Sequence, residues 1–432
     1  MPTFVITTIG SAGDVFPMLA IGAGLKTRGH QVVFINNPYF QSLAETAGIT
    51  FIPIGRVEEF TNVIDNPDTW HPRKSLIVVV KKAILPFIRQ VYDILTGFDP
   101  RETILVSSGM AAPARIAQEK HGFRLATVHL QPSILMSAHD PAELGGFRLP
   151  EWLPTRLHRW WLTLSETLFV DPLLVPEITR FRGELGIHTP MGHFFSQWMH
   201  SPDMVIGLWP GWFAPPQPDW PPNTHLTGFI HFQTGERELP PNVTRFLDSG
   251  EPPLVFTPGS AMKFGANFFR AARQACQSLG KRAVFLTRFQ EHLPPDLPPT
   301  ILHAAWLPMD ALLQRAALIV HHGGIGTTAQ ALAAGIPQLV SPHSHDQPDN
   351  ANRLRKLGVG GRLDPKHFTP SRLRDKLDHL LNDPQTRQNC RQYAQKVDFD
   401  RALSETCTLI ERLLPEARKQ GRMGRQVGRV GR

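Results

Sequence analysis

One stretch in the last third of the chain constrains the fold most strongly. The apolar run Ala317–Val320 is flanked by breakers, as expected of a buried parallel strand. Residues 321–326 follow with three glycines in four positions, which permits a tight turn and a close approach to a ligand. Thr327 opens an alanine-rich helix over Ala329–Ala334, and Ile336–Val340 returns as the next strand. The pattern predicts one unit of a doubly wound α/β domain.

The glycine loop of this unit leads directly into a helix N-terminus. Unpaired backbone N–H groups and the positive end of the helix dipole meet there and attract anions. A phosphate or diphosphate is therefore the ligand that suits the loop best. The alternative is a loop whose glycines serve only the close packing of strand against helix.

The wider segment 306–347 resembles the C-terminal donor-binding signature of family 1 glycosyltransferases, which use nucleoside-diphosphate sugars. That signature has an opening tryptophan, a His-x-Gly phosphate loop and a closing Asp-Gln pair. The matching residues are Trp306 with Leu307, then His322, Gly324, Gly326 and Thr327, then Asp346 and Gln347. The loop sequence GGIGT differs from the plant pattern and points to the bacterial branch.

The resemblance implies a role for each part of this signature. Trp306 stacks on the nucleobase, since stacking needs a flat aromatic face. The glycine loop binds the diphosphate, and Asp346 and Gln347 bind sugar hydroxyls, which need fixed acceptors and donors. Ser260 in VFTPGS resembles a further diphosphate contact of the family, against the alternative of a simple turn serine.

The domain organisation follows from length and from the order of apolar runs. A chain of 432 residues exceeds one ordinary core, so two domains are expected. We predict an N-terminal Rossmann-like domain over 1–215, a proline-rich linker over 216–253 and a C-terminal Rossmann-like domain over 254–414. The basic tail 415–432 is interpreted as disordered. This is the GT-B fold of the resembled family, an α/β architecture in which the two domains face one another across a cleft.

Composition narrows the class of protein. Hydrophobic residues make up 41% and charged residues 19%, as in a globular protein, and the three cysteines match no metal or disulfide spacing. We expect a cytoplasmic protein, because the chain has no signal peptide and no apolar run of about 18 residues. Residues 418–432 contain five arginines, one lysine and no acid, and so supply six of the eight net positive charges. Peripheral membrane contact stays open, whereas a nucleic-acid partner is not expected.

Asp14, in the GSAGDVFP loop after the first strand, is the candidate general base. The loop resembles the N-terminal motif of bacterial family members, and glycosyl transfer with inversion needs a base beside the acceptor hydroxyl. The alternative role is structural, because an aspartate before Val15 is a good helix cap. That helix end is expected to lower the pKa of Asp14. His129, at the end of another strand, is the candidate that tunes it, although a structural histidine is the commoner case.

A metal site is the next alternative. Five side chains near two strand ends include metal-ligand types, namely His321, His322, His343, His345 and Asp346. The HSHDQ spacing lacks the further histidine of a binuclear hydrolase. No metal and no other cofactor is therefore expected, and the resembled fold stabilises the leaving diphosphate with backbone amides.

Two apolar segments bear on the acceptor. Ser75–Phe98 and Trp152–Leu174 are rich in apolar residues, which suits helices that line a hydrophobic acceptor site or touch a membrane. The alternative for Ser75–Phe98 is a helix that faces the core, with Lys81 and Lys82 in solvent.

The resemblance extends to about Leu414, and two runs near residues 9–30 and 194–229 resemble the rhamnosyltransferases of rhamnolipid synthesis. It implies an inverting transfer of L-rhamnose from dTDP-rhamnose to a hydroxylated lipid. The alternatives are glucose transfer from UDP-glucose to a sterol, phenolic or macrolide, a sugar-nucleotide epimerase, and a catalytically silent nucleotide-sugar-binding partner.

Overall fold

Two parallel β-sheets organise the protein, for which a computed structural model describes residues 2–143, 146–232, 238–259 and 265–415. The first sheet is built from β1 Thr3–Thr7, β2 Gln31–Asn36, β3 Thr50–Pro53, β4 Thr103–Ser108, β5 Arg124–His129, β6 Met204–Gly207 and β7 Thr224–Leu226. The second is built from β8 Leu254–Thr257, β9 Ala283–Leu286, β10 Ile301–Ala304, β11 Leu318–His321, β12 Gln338–Val340 and β13 Gly360–Arg362.

The two sheets share one strand order. It is β3-β2-β1-β4-β5-β6-β7 in the first sheet and β10-β9-β8-β11-β12-β13 in the second. In each, the chain starts in the middle, winds outward and returns across its first strand, which is the doubly wound arrangement. The expectation of two Rossmann-like α/β domains is therefore confirmed.

Helices cover both faces of each sheet. In the first half they are α1 Ala12–Thr27, α2 Gln41–Thr46, α3 Val57–Ile64, α4 Ser75–Val79, α5 Ile88–Thr96, α6 Ala112–His121, α7 Thr155–Ser165 and α8 Asp171–Glu184. In the second half they are α9 Pro241–Asp248, α10 Ala266–Leu279, α11 Met309–Leu313, α12 Ile325–Ala334, α13 Gln347–Lys356, α14 Pro370–Asn382, α15 Pro384–Ala394 and α16 Phe399–Glu411.

Burial on both faces explains the apolar strands. In β1, Phe4 and Ile6 pack into one apolar cluster while Val5 packs into another on the opposite face. In β8, Phe256 and Val255 divide in the same way between two clusters of the second domain. A strand buried on both sides needs an unbroken apolar run, and that is the pattern these segments have.

Two elements of the structure belong to the first domain, although the predicted boundaries place them outside it. Strand β7 lies in the segment predicted as a linker, yet it pairs with β6 and completes the first sheet. Helix α16 packs on α1 rather than on the second sheet, with Cys407 and Ile410 fully buried in the first domain's core. The Glu411 carboxylate anchors it by accepting hydrogen bonds from Arg28 at 2.9 Å and His30 at 2.6 Å.

Ion pairs join the two domains beside the sheets. Arg353 of α13 lies 2.8 Å from Asp140 in a loop of the first domain. The Arg362 guanidinium at the end of β13 donates two hydrogen bonds to Glu143 of the same loop, at 2.5 and 3.0 Å. Bidentate geometry of this kind fixes orientation as well as distance. These pairs tie the loop to α13, the helix that begins at Gln347, and to β13.

The tail predicted over 415–432 lies outside the described residues after Pro415, and so does Ser260. Among the helices of the described residues, none combines the length and the apolar character needed to cross a bilayer.

We expect Ile410→Ala to destabilise the first domain, because the substitution opens a cavity in its core. The cost should be about 2 to 5 kcal/mol. Hydrogen exchange should rise in peptides from α1, and Leu373→Ala in the second core should instead raise exchange in α10. Faster exchange confined to the second domain in Ile410→Ala would contradict the assignment of α16 to the first.

Candidate active site

A cavity of about 1410 Å³ lies between the two domains. Its walls include the loops that follow β1 and β5 of the first sheet and β8, β9, β11 and β12 of the second. The carboxyl ends of parallel strands in both sheets therefore open onto one space, as ligand sites do in open α/β sheets.

Asp14 lies in the first turn of α1 and lines this cavity. Its Oδ2 accepts hydrogen bonds from the backbone N–H of Ser11 at 2.8 Å and from the Ser11 hydroxyl at 3.1 Å. Gly10, with φ at +135°, lets the carboxylate fit, since a Cβ there would lie 2.2 Å from Oδ2. Asp14 is thus the third helical residue, and Ser11 holds the cap position that the structural alternative gave to Asp14.

The electrostatics of Asp14 differ from the expectation. Burial raises its pKa to about 6, even though the hydrogen bonds from Ser11 act in the opposite direction. The prediction that the helix end lowers this pKa is wrong, because desolvation of the charged form outweighs the helix dipole here. A carboxylate with this pKa is deprotonated at neutral pH and is a stronger base than an exposed aspartate.

The predicted anion cradle lies across the cavity from the first domain. Helix α12 begins at Ile325, two residues before the predicted start, and Gly324 is its N-cap. The backbone N–H groups of Ile325, Gly326 and Thr327 therefore belong to the first turn, where N–H groups have no partner within the helix. All three residues line the cavity.

His322 packs between two glycines of this cradle. A Cβ on Gly324 would lie 2.6 Å from His322 Nε2, and one on Gly259 would lie 3.0 Å from Nδ1. Burial, aided by the neighbouring His343, lowers the pKa of His322 to about 4. The imidazole is therefore neutral at physiological pH and offers one N–H donor rather than a positive charge.

Trp306 and Leu307 occupy different environments. The Trp306 side chain is 53% exposed and lines the cavity, so its indole face is accessible for stacking. Leu307 is buried in the core cluster beneath. Any nucleotide contact of Leu307 therefore has to use its backbone, which the sequence did not distinguish.

Asp346 caps α13 and faces the same space. Its Oδ2 accepts a hydrogen bond from Asn350 Nδ2 at 2.6 Å, and Asn350 Nδ2 also donates to the Gly323 carbonyl at 2.8 Å. Burial, and after it the negative charge of Asp14, raises the pKa of Asp346 to about 7. The carboxylates predicted for base catalysis and for sugar binding therefore interact across the cleft.

Gln347 is buried, and its amide oxygen accepts hydrogen bonds from the backbone N–H groups of His343 at 2.8 Å and Ser344 at 3.3 Å. The side chain thus holds the loop that carries Asp346. Because the oxygen already accepts these two hydrogen bonds, a contact between Gln347 and the sugar would use its Nε2 group.

His129 does not join the site. It is buried at the end of β5, where its Nε2 lies 3.0 Å from Nδ1 of His200. Burial lowers its pKa well below the ordinary histidine value, and His129 is absent from the cavity wall, although Leu130 and Gln131 are part of it. The predicted tuning role fails on this geometry, because a strand reverses side-chain direction at each residue.

The sequence named two apolar segments for the acceptor side, but not the individual residues of its wall. Its apolar wall combines side chains from four separate stretches of the first domain, among them Phe60, Leu76, Phe87, Met136, Phe147 and Trp161. Segment Ser75–Phe98 serves both proposed purposes, since Val80 and Ile84 enter the core while Leu76 and Phe87 line the cavity. Only its high apolar content signalled this.

The histidines considered as metal ligands are arranged separately. Buried His321 lies 3.0 Å from Gln338 and accepts a hydrogen bond from the Gly323 N–H, while His345 contacts the first domain. Among the residues that the structure describes, no group of three His, Cys, Asp or Glu side chains is placed to hold a metal ion. The expectation of a metal-independent reaction stays a prediction.

Two Rossmann-like domains meet around one cavity, with a helix N-terminus on one side and a buried carboxylate on the other, and this is the architecture of the GT-B glycosyltransferases. Comparison with known families agrees. Residues 4–129 match the glycosyltransferase family 28 N-terminal domain, and residues 284–409 match the erythromycin biosynthesis protein CIII-like C-terminal domain.

Individual relatives cover nearly the whole chain. The vancomycin aglycone glucosyltransferase of Amycolatopsis orientalis is 36% identical over 82% of this chain and 84% of its own length. The O-mycaminosyltylonolide 6-deoxyallosyltransferase of Streptomyces fradiae is 27% identical over 94% and 96%. The chain therefore belongs to the family 1 glycosyltransferases of the erythromycin CIII-like group, and it is a nucleotide-sugar-dependent enzyme.

The fold agrees with that of solved glycosyltransferase structures. The spinosyn rhamnosyltransferase SpnG, complexed with thymidine diphosphate, superposes with a TM-score of 0.65 at 18% identity over 95% of this chain and 100% of that one.

We expect Asp14→Asn to lower kcat/KM by about 10²- to 10⁴-fold, because it removes the candidate base. In the unmodified enzyme kcat/KM should fall as pH drops below about 6, since the base acts in its deprotonated form and Asp14 has a pKa of about 6. Asp310→Asn changes another cavity carboxylate, and its kcat/KM should show the same fall below about pH 6. If the residual kcat/KM of Asp14→Asn falls with pH in the same way, Asp14 is not the group that causes the fall.

Proposed function

We propose that the enzyme transfers L-rhamnose from dTDP-rhamnose to a hydroxyl group of a hydrophobic, lipid-like acceptor, with inversion at the anomeric carbon. The observation that carries the proposal is the shared cavity, in which Asp14 and an extended apolar wall face the cradle at α12. An acceptor bound on the apolar wall presents its hydroxyl between the base and the donor sugar.

The reaction uses the two sides of the cavity in one step. Asp14 accepts the proton of the acceptor hydroxyl while that oxygen attacks the anomeric carbon, and the bond to the diphosphate oxygen breaks on the opposite face. The first-turn N–H groups of α12 and the neutral His322 imidazole stabilise the charge that develops on the leaving diphosphate. Asp346 hydrogen-bonds a sugar hydroxyl, and no metal ion takes part.

Support for the donor comes from two directions. The sequence runs near 9–30 and 194–229 resemble rhamnosyltransferases of rhamnolipid synthesis, and the rhamnosyltransferase SpnG of similar fold was solved with thymidine diphosphate. The second candidate is glucose transfer from UDP-glucose, which is favoured by the 36% identity to an aglycone glucosyltransferase. Both candidates use the same base and the same cradle.

A donor screen decides between them. With dTDP-rhamnose and a dimeric hydroxy-fatty acid, we expect release of thymidine diphosphate together with one labelled rhamnose per product, in the anomeric configuration opposite to the donor. UDP-glucose with macrolide, sterol and phenolic alcohols forms the competing arm. Faster turnover in that arm would replace the proposed donor. Sugar that is altered but stays on its nucleotide would indicate an epimerase, and activity of a partner complex that survives Asp14→Ala would indicate a silent partner.

Peripheral membrane contact belongs to the same proposal. Six of the ten exposed large apolar side chains among the described residues lie between residues 147 and 169, and they are called here the apolar surface: Phe147, Trp152, Leu157, Trp160, Leu168 and Phe169. Phe147 and Phe169 also line the cavity, so this surface is continuous with the acceptor wall. Helix α7 lies within this segment, and its exposed residues Arg156 and Arg159 supply the positive charge that suits an anionic lipid surface.

We expect the unmodified protein to sediment with vesicles that contain phosphatidylglycerol and less with purely zwitterionic ones. The double substitution Trp152→Ser and Trp160→Ser should reduce that binding several-fold, since aromatic side chains anchor proteins at the lipid interface. Val57→Ser removes an exposed apolar side chain elsewhere and should leave binding unchanged. Equal vesicle binding by the double variant would contradict the assignment of the membrane contact to this surface, and no vesicle binding by the unmodified protein would contradict the contact itself.

A further inference from the structure

His345, the residue before Asp346, has an unusual backbone conformation. Its φ is +57°, in the left-handed region that residues other than glycine rarely adopt. Such a conformation costs free energy and persists where the surroundings stabilise it. The next residue carries the carboxylate assigned to the donor sugar. The conformation of His345 therefore helps determine where Asp346 points.

The stabilising contacts come from the other domain. The His345 Nε2 lies 3.1 Å from the backbone carbonyl of Thr69, and since a carbonyl oxygen only accepts, the imidazole donates. Its ring also meets the Trp70 ring edge to face, with the centroids 6.1 Å apart. A residue of the donor domain is thus held by the acceptor domain within the cavity wall.

The acceptor-side partners of His345 are themselves fixed. The Thr69 hydroxyl donates to the Val63 carbonyl at 2.6 Å, and Trp70 Nε1 donates to the Ile64 carbonyl at 3.0 Å, both at the end of α3. All four of these first-domain residues line the cavity. The wall that would touch an acceptor is therefore connected to the Asp346 loop through the His345 imidazole.

We propose that His345 is a positioning residue that couples the acceptor wall to the donor-sugar carboxylate, by holding Asp346 in place only when the two domains meet. The inference rests on the proposed function, in which Asp346 binds the sugar. The rest of the donor, on Trp306 and the N-terminus of α12, is held without His345. Loss of this contact should therefore lower kcat/KM for the acceptor, whereas the affinity for the nucleotide should stay nearly the same.

The test compares His345→Asn with His345→Ala. Asparagine tolerates the left-handed conformation but does not reach as far as the imidazole Nε2, so it separates the contact from the backbone strain. His367→Asn, an exposed histidine of the same domain, is the matched control. We expect both His345 variants to lose about tenfold in kcat/KM for the acceptor, as one good hydrogen bond allows. The dissociation constant of thymidine diphosphate should change less than twofold, and the share of donor lost to water should rise.

Hydrogen exchange provides a readout that does not depend on turnover. Peptides spanning 65–75 and 342–348 should exchange faster in His345→Asn than in the unmodified protein. In the control variant His367→Asn they should exchange at the same rate as in the unmodified protein. Unchanged exchange in both peptides would overturn the inference. So would an equal loss of nucleotide affinity and transfer, which indicates general damage. If exchange changes but the unmodified enzyme transfers no sugar from any donor, the proposed function fails and the contact stands.

Discussion

The structure depends on the approach of two carboxylates from different domains. Asp14 follows the first strand of the first sheet, and Asp346 follows the fifth strand of the second. Burial raises the pKa of each, and the charge of Asp14 adds to the rise at Asp346. Bringing two negative charges together away from water costs free energy. The rest of the protein therefore has to hold the two sides of the cleft together.

Three kinds of contact maintain it. Ion pairs from Asp140 and Glu143 tie a first-domain loop to α13 and β13. Helix α16 crosses back to the first core, and His345 joins the Asp346 loop to the acceptor wall. Each contact joins the two halves of the chain, and the glycosyltransferase site exists only where those halves meet.

The sequence predicted the fold, and it named donor-side residues that the structure places on one cavity, for identifiable reasons. Apolar runs without alternation indicate strands buried on both faces, and a glycine loop before a helix indicates an anion site. His322, Asp346 and Asp14 were named in advance through the resemblance of their motifs to those of the glycosyltransferase family. Their roles stay predictions. Composition indicated two segments of the apolar acceptor wall, but its individual residues and the contact of His345 could not be assigned, because they depend on which distant segments meet. The pKa of Asp14 was mispredicted because burial is a property of the folded chain.

The measurement that tests this account most directly is the titration of Asp346. Carbon-13 NMR of the side-chain carboxyl groups would follow Asp346 in the unmodified protein and in Asp14→Asn. The account predicts a pKa of about 7 in the former. In the variant it predicts a lower value that still exceeds the ordinary range of an aspartate, because the neighbouring charge is gone while burial remains. An Asp346 pKa that is identical in both proteins would show that the two carboxylates do not face one another.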